Sequence, residues 1–148
     1  MSDIELDEEL IDLAARYRDV LRHAVYLIRS LDANGELSTG QVATMNILAL
    51  APARVGDVAR HAGIRVPSAT EQVIKLEAAG LVERRADPDD ARAVLVHLTD
   101  AGRTALATAN RERNERIAGA LAVLSEDERS AITAAIPAIA KLTNSLGA

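Results

Sequence analysis

Along the first third of the chain, apolar positions recur at alternating steps of four and three. Leu10, Ala14, Tyr17, Leu21, Ala24, Ile28 and Leu31 form one seam, and Leu13, Val20 and Leu27 form a second stripe beside it. This spacing predicts a helix over 5–32 whose apolar band is wide enough to meet two surfaces. Its own domain supplies one surface, and a second copy of the chain supplies the other. Asn34-Gly35 ends the helix. Ser38-Thr39-Gly40-Gln41 reads as a capping box, in which Ser38 and Gln41 satisfy each other's free backbone donors. The helix it opens buries Val42, Met45, Leu48 and Ala49. It stops before Ala51-Pro52, because the residue ahead of a proline is pushed out of the helical region.

Two shorter helices follow. Val55 to Ala62 turns Val58, Ala59 and Ala62 inward, and Gly63 supplies a turn. Pro67 suits the first position of the next helix. That helix buries Ala69, Val73, Leu76 and, beyond it, Leu81, and ends at Gly80. Ala59 and Gly63 are the small residues that a close helix crossing requires. Two strand-like runs come next, 81–86 and 93–98, the second alternating Val94, Val96 and Leu98 to one side. Between them Asp87-Pro88-Asp89-Asp90 suits a type I turn. A helix-turn-helix followed at once by a β-hairpin is a winged helix. Thr99 caps a long helix over 99–123, and Ser125 to Glu128 is a second capping box. The last helix carries Ile132, Ile136, Ile139 and Leu146 on one face, with Pro137 inside it removing one backbone bond and favouring a kink. The expected architecture is mainly α with a small β-hairpin wing. A winged helix-turn-helix over 37–99 is flanked by a helical dimerisation region formed from 1–36 and 100–148.

Composition and charge narrow the function. The chain is 49% hydrophobic yet only 1% aromatic, and it contains no Cys, Phe or Trp. The absence of cysteine excludes a disulfide scaffold, a thiolate metal site and a thiol redox sensor. No apolar run approaches the ~18 residues of a membrane span. The acidic start, Met1-Ser2-Asp3-Ile4-Glu5, is unlike a secretory signal, so a soluble cytoplasmic protein is expected. A net charge of −5 argues against a protein that coats nucleic acid indiscriminately. Locally the balance reverses. Over 54–85, Arg54, Arg60, Arg65, Lys75, Arg84 and Arg85 stand against Asp57, Glu71, Glu77 and Glu83. No catalytic constellation is visible. His23, His61 and His97 fall on three different elements, no spacing matches a metal cage, and no phosphate loop or nucleophile elbow occurs. No enzyme, metal or cofactor is therefore expected.

Three segments carry a family likeness: Leu37-Ser38-x-x-Gln41, then Leu76-Glu77-Ala78-Ala79-Gly80-Leu81-Val82-Glu83-Arg84, then Asp87-Pro88-Asp89-Asp90-Ala91-Arg92-Ala93-Val94-Leu95-Val96-x-Leu98-Thr99-Asp100-Ala101-Gly102. Together they resemble the MarR family of winged-helix transcriptional regulators. The resemblance implies a triangular homodimer in which the first and last helices pair and each winged helix meets half of a double-stranded, pseudo-palindromic operator. It also implies a repressor released by a small, often anionic aromatic effector bound between the dimer helices and the winged domain. The chain departs from the family pattern at Ala91, where a second wing arginine is common. It departs again at Glu71, where an arginine often follows the threonine, and at Val66, where a Ser or Thr cap usually precedes the proline. These changes bear on operator preference and affinity, not on the fold.

Helix-turn-helix docking puts the N-terminal half of the second helix in the major groove, which nominates Ser68, Ala69, Thr70, Gln72 and Lys75. Gln72 suits adenine, Thr70 a phosphate or base, and Lys75 a phosphate; Ala69 suits either a thymine methyl or the core. Glu71 is expected to face solvent or Arg65 in preference to a cytosine amine. Arg92, in the Asp-x-Arg of the wing, either reaches a narrow minor groove or braces the wing through a carboxylate. Arg54, Arg65, Arg84 and Arg85 are phosphate candidates. Four such cations per subunit would neutralise ~8 phosphates and give a slope of log affinity on log salt of roughly −7. For the effector, Tyr17, Arg22, His23 and Tyr26 could line a pocket with Met45 and Leu48 opposite, although Tyr17 also fits the seam. The alternative is a winged-helix module for protein–protein contact, with its DNA face abandoned; Glu71 and Ala91 keep that reading open.

Overall fold

A computed structural model describes residues 7–32 and 35–147. The expected helix start at Glu5, the Leu31 side chain and the Asn34 stop lie outside the described residues. The elements run α1 (Glu8–Asp32), α2 (Thr39–Leu50), α3 (Val55–Ala62), α4 (Val66–Ala78), β1 (Val82–Ala86), β2 (Val94–Leu98), α5 (Asp100–Ala122) and α6 (Glu126–Leu146). The described chain divides into two compact units, one up to Leu106 and the other from Ala107.

In the first unit the core is built from α2, α3, α4 and the hairpin. Val42, Met45, Leu48, Val58, Ala59, Ala69, Val73, Leu76, Val82, Val96, Leu98 and Leu106 are its buried apolar side chains. Asp7 starts α1 by accepting from the Leu10 N–H at 2.7 Å. The Ser38 box forms as its sequence implies: Ser38 Oγ accepts from the Gln41 N–H and the Gln41 amide accepts from the Ser38 N–H. Ala49 is exposed, contrary to expectation, and Thr44 takes its place inside. The buried face of α2 centres on Met45, and Thr44 can enter it because its hydroxyl finds a partner there. Ala62 and Leu81 are only half-buried.

Both helices of the helix-turn-helix end the same way. The Gly63 N–H bonds to the Arg60 carbonyl and the Ile64 N–H to Ala59; the Gly80 N–H bonds to Glu77 and the Leu81 N–H to Leu76. Each glycine has positive φ (64° and 73°), the left-handed position that closes this motif. Gly63 is thus required for its backbone angle, not for a close crossing, since a Cβ there would meet nothing. Val66 takes the first helical position of α4 and Pro67 the next.

β1 and β2 pair antiparallel with Val82 opposite Leu98 and Ala86 opposite Val94. Ala53 adds a third, one-residue strand, exchanging backbone bonds with Val96 at 3.2 and 2.9 Å. Val96 and Leu98 face the core as expected, whereas Val94, paired with Ala86 at the turn end of the hairpin, is exposed. Two successive turns close the hairpin, Asp90 N–H to Asp87 O and Ala93 N–H to Asp90 O. Asp87 organises both. Its Oδ1 accepts from the Asp89 N–H at 2.9 Å, and its Oδ2 accepts from Arg54 Nη2 at 2.7 Å. The Arg54 hydrogen bond, then the Asp89 N–H, hold the Asp87 carboxyl below the usual carboxylate range, and the same contact raises the Arg54 guanidinium.

Thr99 fastens the start of α5 to the end of α4. Its hydroxyl donates to the Gly80 carbonyl and accepts from the Gly102 N–H, while its own N–H bonds to the Leu81 carbonyl. Gly102 lies directly against that Leu81 carbonyl, so a Cβ would overlap the oxygen and the Leu98 side chain. In the second unit a capping box between Ser125 and Glu128 opens α6, which runs unbroken through Pro137. No side chain of α6 is buried; Ile136 is 58% exposed and Leu146 is 76% exposed. Among the described residues no helix is long and apolar enough to cross a membrane.

Gly102→Ala should lower unfolding free energy by about 1–3 kcal/mol through overpacking. Gly56→Ala, with open space around the new methyl, should raise it by a few tenths to ~1 kcal/mol in the same denaturant titration. Acid should erode the Asp87 contribution. A depressed native pKa gives stability that is complete above the ordinary carboxylate range and vanishes as pH falls through the lower native value. Wild type should therefore exceed Asp87→Asn in denaturation midpoint at neutral pH, and the gap should close on acidification.

Candidate nucleic-acid interface

The inner side of α4 is committed to the core, which fixes what the outer side presents. Ala69, Val73 and Leu76 are fully buried, so Ala69 serves as a core residue and not as a thymine contact. Gln72 lies where the same helical face continues. Its Oε1 accepts from the buried Thr44 hydroxyl at 2.6 Å, and its amide nitrogen packs over Gly40 of α2. The structure therefore places Gln72 in the α2–α4 contact, with its side chain half-buried. The Thr70 hydroxyl donates to the Val66 carbonyl at 2.9 Å, and Ser68 is exposed beside it.

The cations differ in how they are held. Lys75 Nζ sits 2.8 Å from Glu71 Oε1, one helical turn away, and this contact draws the Glu71 carboxyl below its ordinary value. The partner of Glu71 is thus Lys75, where the sequence suggested solvent or Arg65. Arg84 Nε lies 3.5 Å from Glu77, and Arg85 pairs with Glu83 two residues back. Arg54, expected to reach a phosphate, instead joins Asp87 and lies 3.7 Å from Asp90. Arg65 and Arg92 remain. Arg65 is the N-cap residue of α4 but makes no side-chain cap bond. Arg92 is tied to the wing turn only by its backbone N–H on Asp90 Oδ1 at 3.1 Å. Among the described residues neither guanidinium has a carboxylate within reach. Of the two roles weighed for Arg92, bracing the wing is carried by Arg54.

Sequence reasoning missed Thr44 and the part played by Asp87. The signal for Thr44 was a polar residue within the apolar face of α2, and for Gln72 it was the spacing 69, 72, 73, 76 of one helix side. Nothing local marked Arg54, because its partner lies 33 residues further along the chain.

The residues expected around an effector are divided. Met45 and Leu48 are buried in the winged-helix core. On α1, Tyr17 is half-buried, Tyr26 and His23 are exposed, and Arg22 pairs with Asp19 at 3.1 Å. A shallow groove along this one helix is lined by Arg18, Leu21, Arg22, Val25, Tyr26 and Arg29. Among the described residues no three metal-ligating side chains converge.

Comparison with known proteins places this geometry. The sequence model of the MarR family matches residues 37–94. The HTH-type transcriptional regulator MT0903.1 of Mycobacterium tuberculosis is 30% identical over 131 residues, covering 85% of this chain and 92% of that protein. Among solved structures, a MarR family protein from Bacillus stearothermophilus superposes with a TM-score of 0.75 at 18% identity, over 94% of this chain and 99% of the other. The transcriptional regulator BldR of Sulfolobus solfataricus gives 0.73 at 23% identity, over 97% and 99%. These two likenesses establish the winged-helix fold, and the sequence match establishes the kinship. The chain belongs to the MarR family of transcriptional regulators, which are not enzymes, and α3 and α4 are its DNA-binding helix-turn-helix.

Proposed function

We propose that the chain acts as a homodimeric repressor on a pseudo-palindromic duplex operator. The α4 helix of each protomer enters a major groove, about one helical turn (~34 Å) from its mate. The observation that carries this reading is the pair of cations without a carboxylate, Arg65 at the start of α4 and Arg92 on the wing turn. Each sits on one of the two elements that a winged helix lays against DNA. Ser68 and Thr70 lie beside Arg65 on the same end of α4, within reach of a base edge or phosphate, while Lys75 and Arg84 reach the backbone only by leaving Glu71 and Glu77.

The dimer is supported by apolar stripes that the chain leaves uncovered. On α1, Val20 is 68% exposed and Tyr26 is 69% exposed, and α6 exposes Ile132, Ile136, Ile139 and Leu142 along one side. Patches of this kind mark contact with another molecule. In this division of labour 37–99 holds the DNA, while 1–36 and 100–148 pair the protomers in the cytoplasm. Release by a small anionic effector would work through the exposed Arg22, His23 and Tyr26, by favouring protomer spacings that no longer match successive grooves. A protein–protein module remains the rival, and failure of the purified chain to enrich any inverted repeat from random or genomic DNA would select it.

With Arg54 committed elsewhere, three cations per subunit (Arg65, Arg92 and one of Lys75 or Arg84) would meet ~6 phosphates. The slope of log affinity on log salt should then be about −5, and Arg65→Gln or Arg92→Gln should each flatten it by about 2 for the dimer. Sedimentation should find a dimer at micromolar concentration. Ile136→Glu should shift the chain toward monomer and weaken operator binding together.

A further inference from the structure

Arg54 opens α3 in an extended conformation, yet its side chain does not cap that helix. It leaves the helix-turn-helix and crosses to the wing. There Nη2 donates to the buried Asp87 carboxylate at 2.7 Å, with the Asp90 carboxylate 3.7 Å away. The preceding residue, Ala53, is bonded in both directions to Val96 in the middle of β2. Two consecutive residues therefore fasten the hairpin to the start of the helix-turn-helix at separate points along its length. Ala53 holds it through the backbone at mid-strand, and Arg54 holds it through an ion pair at the turn. A two-stranded ribbon attached only at mid-strand can still tilt about that attachment; the second point removes the freedom. Asp87 is tied into the turn through its N–H, carbonyl and Oδ1 as well, so its position and that of the turn bearing Arg92 are coupled.

We propose that Arg54 is a positioning residue that, through Asp87, sets the angle of the wing relative to α4 and does not itself contact DNA. This rests on the DNA-binding reading above. It opposes the simpler assignment of Arg54 as a phosphate contact, and the two differ in sign. If Arg54 bound a phosphate, neutralising Asp87 would release it and remove a nearby negative charge, so binding would tighten. If Arg54 sets the wing, neutralising Asp87 harms binding just as loss of Arg54 does. Asn suits the test because its Oδ1 still accepts from the Asp89 N–H.

The experiment compares full-length wild type, Arg54→Gln, Asp87→Asn and the double variant on a duplex enriched by wild type from a random-sequence pool. The temperature is kept well below each variant's melting point. Each single change should weaken binding about tenfold or more, and the double variant should bind no worse than the weaker single. The salt slope should stay within about 1 of wild type, where loss of a phosphate contact in both subunits would change it by about 2. Minor-groove protection from hydroxyl radical should fall at the flanks of each half-site, while major-groove protection of guanine N7 persists, a split that general loss of stability would not produce. In the free protein, amide exchange at Asp87 and Ala93 should quicken in both single variants, with Val96 unchanged. Tighter binding by Asp87→Asn, a flattened slope for Arg54→Gln, or unaltered exchange at the turn would each overturn the proposal. If wild type enriches no duplex, the functional reading fails and the positioning role with it, while the exchange data still decide whether Arg54 holds the turn.

Discussion

The feature on which the rest depends is the complete commitment of one side of α4. Ala69, Val73 and Leu76 are sealed against the core, and the Thr44–Gln72 hydrogen bond fills the one polar place on that side. A hydrogen bond of this kind contributes only about 1 kcal/mol net, but breaking it would strand the buried Thr44 hydroxyl at a cost of about 1–3 kcal/mol. That asymmetry makes the rotation of α4 about its own axis costly in either direction. The helix end is fixed as well, by the Leu81 and Gly80 bonds back into α4 and by Thr99 on the Gly80 carbonyl. A helix held against rotation and at its C-terminus presents one face to a partner, and that face begins with Arg65.

The charge arrangement answers how an acidic chain of net −5 can meet a polyanion. Screening confines each charge to about 8–10 Å, so the net charge of the whole chain does not set the potential at any one face. Within the winged helix most cations are matched by a neighbouring carboxylate, Lys75 by Glu71, Arg84 by Glu77, Arg85 by Glu83 and Arg54 by Asp87. Exposed pairs of this sort are worth little in stability. Their effect is to neutralise local charge, and among the described winged-helix candidates they leave Arg65 and Arg92 without a carboxylate. On the proposed reading such a surface would hold DNA weakly at random, its unpaired cations positioning the duplex and base contacts specifying the sequence.

Much of the fold was legible because its determinants are local. The two capping boxes, the Ala51-Pro52 stop, the wing turn with its aspartates and the 3–4 spacing on α4 each act over a few residues, and each appears where the sequence implies it. What stayed hidden shares a cause. Gln72 reads from sequence as a base contact because its side chain is polar, and its hydrogen bond to Thr44 is not legible because that partner on α2 is distant in sequence. Arg54 looked like a phosphate cation because it is a cation beside a wing, and the residue it serves lies across the sheet. Gly63 supplies the expected turn through its positive φ, while the close crossing expected of it is absent. Local rules cannot choose between equivalent roles when the deciding atom comes from another element.

The uncovered stripes of α1 and α6 bear on stability as well as assembly. No α6 side chain is buried within the chain, although the helix is capped and 21 residues long. Capping contributes about 1 kcal/mol at one end, and fixing each backbone residue costs about as much or more. Such a helix persists in proteins chiefly through burial of an apolar face, and here that face is Ile132, Ile136, Ile139 and Leu142. A covering partner would therefore add to the stability of the helical region by mass action, in proportion to the logarithm of its concentration. Folding of this part of the chain and pairing of its protomers would then be one equilibrium.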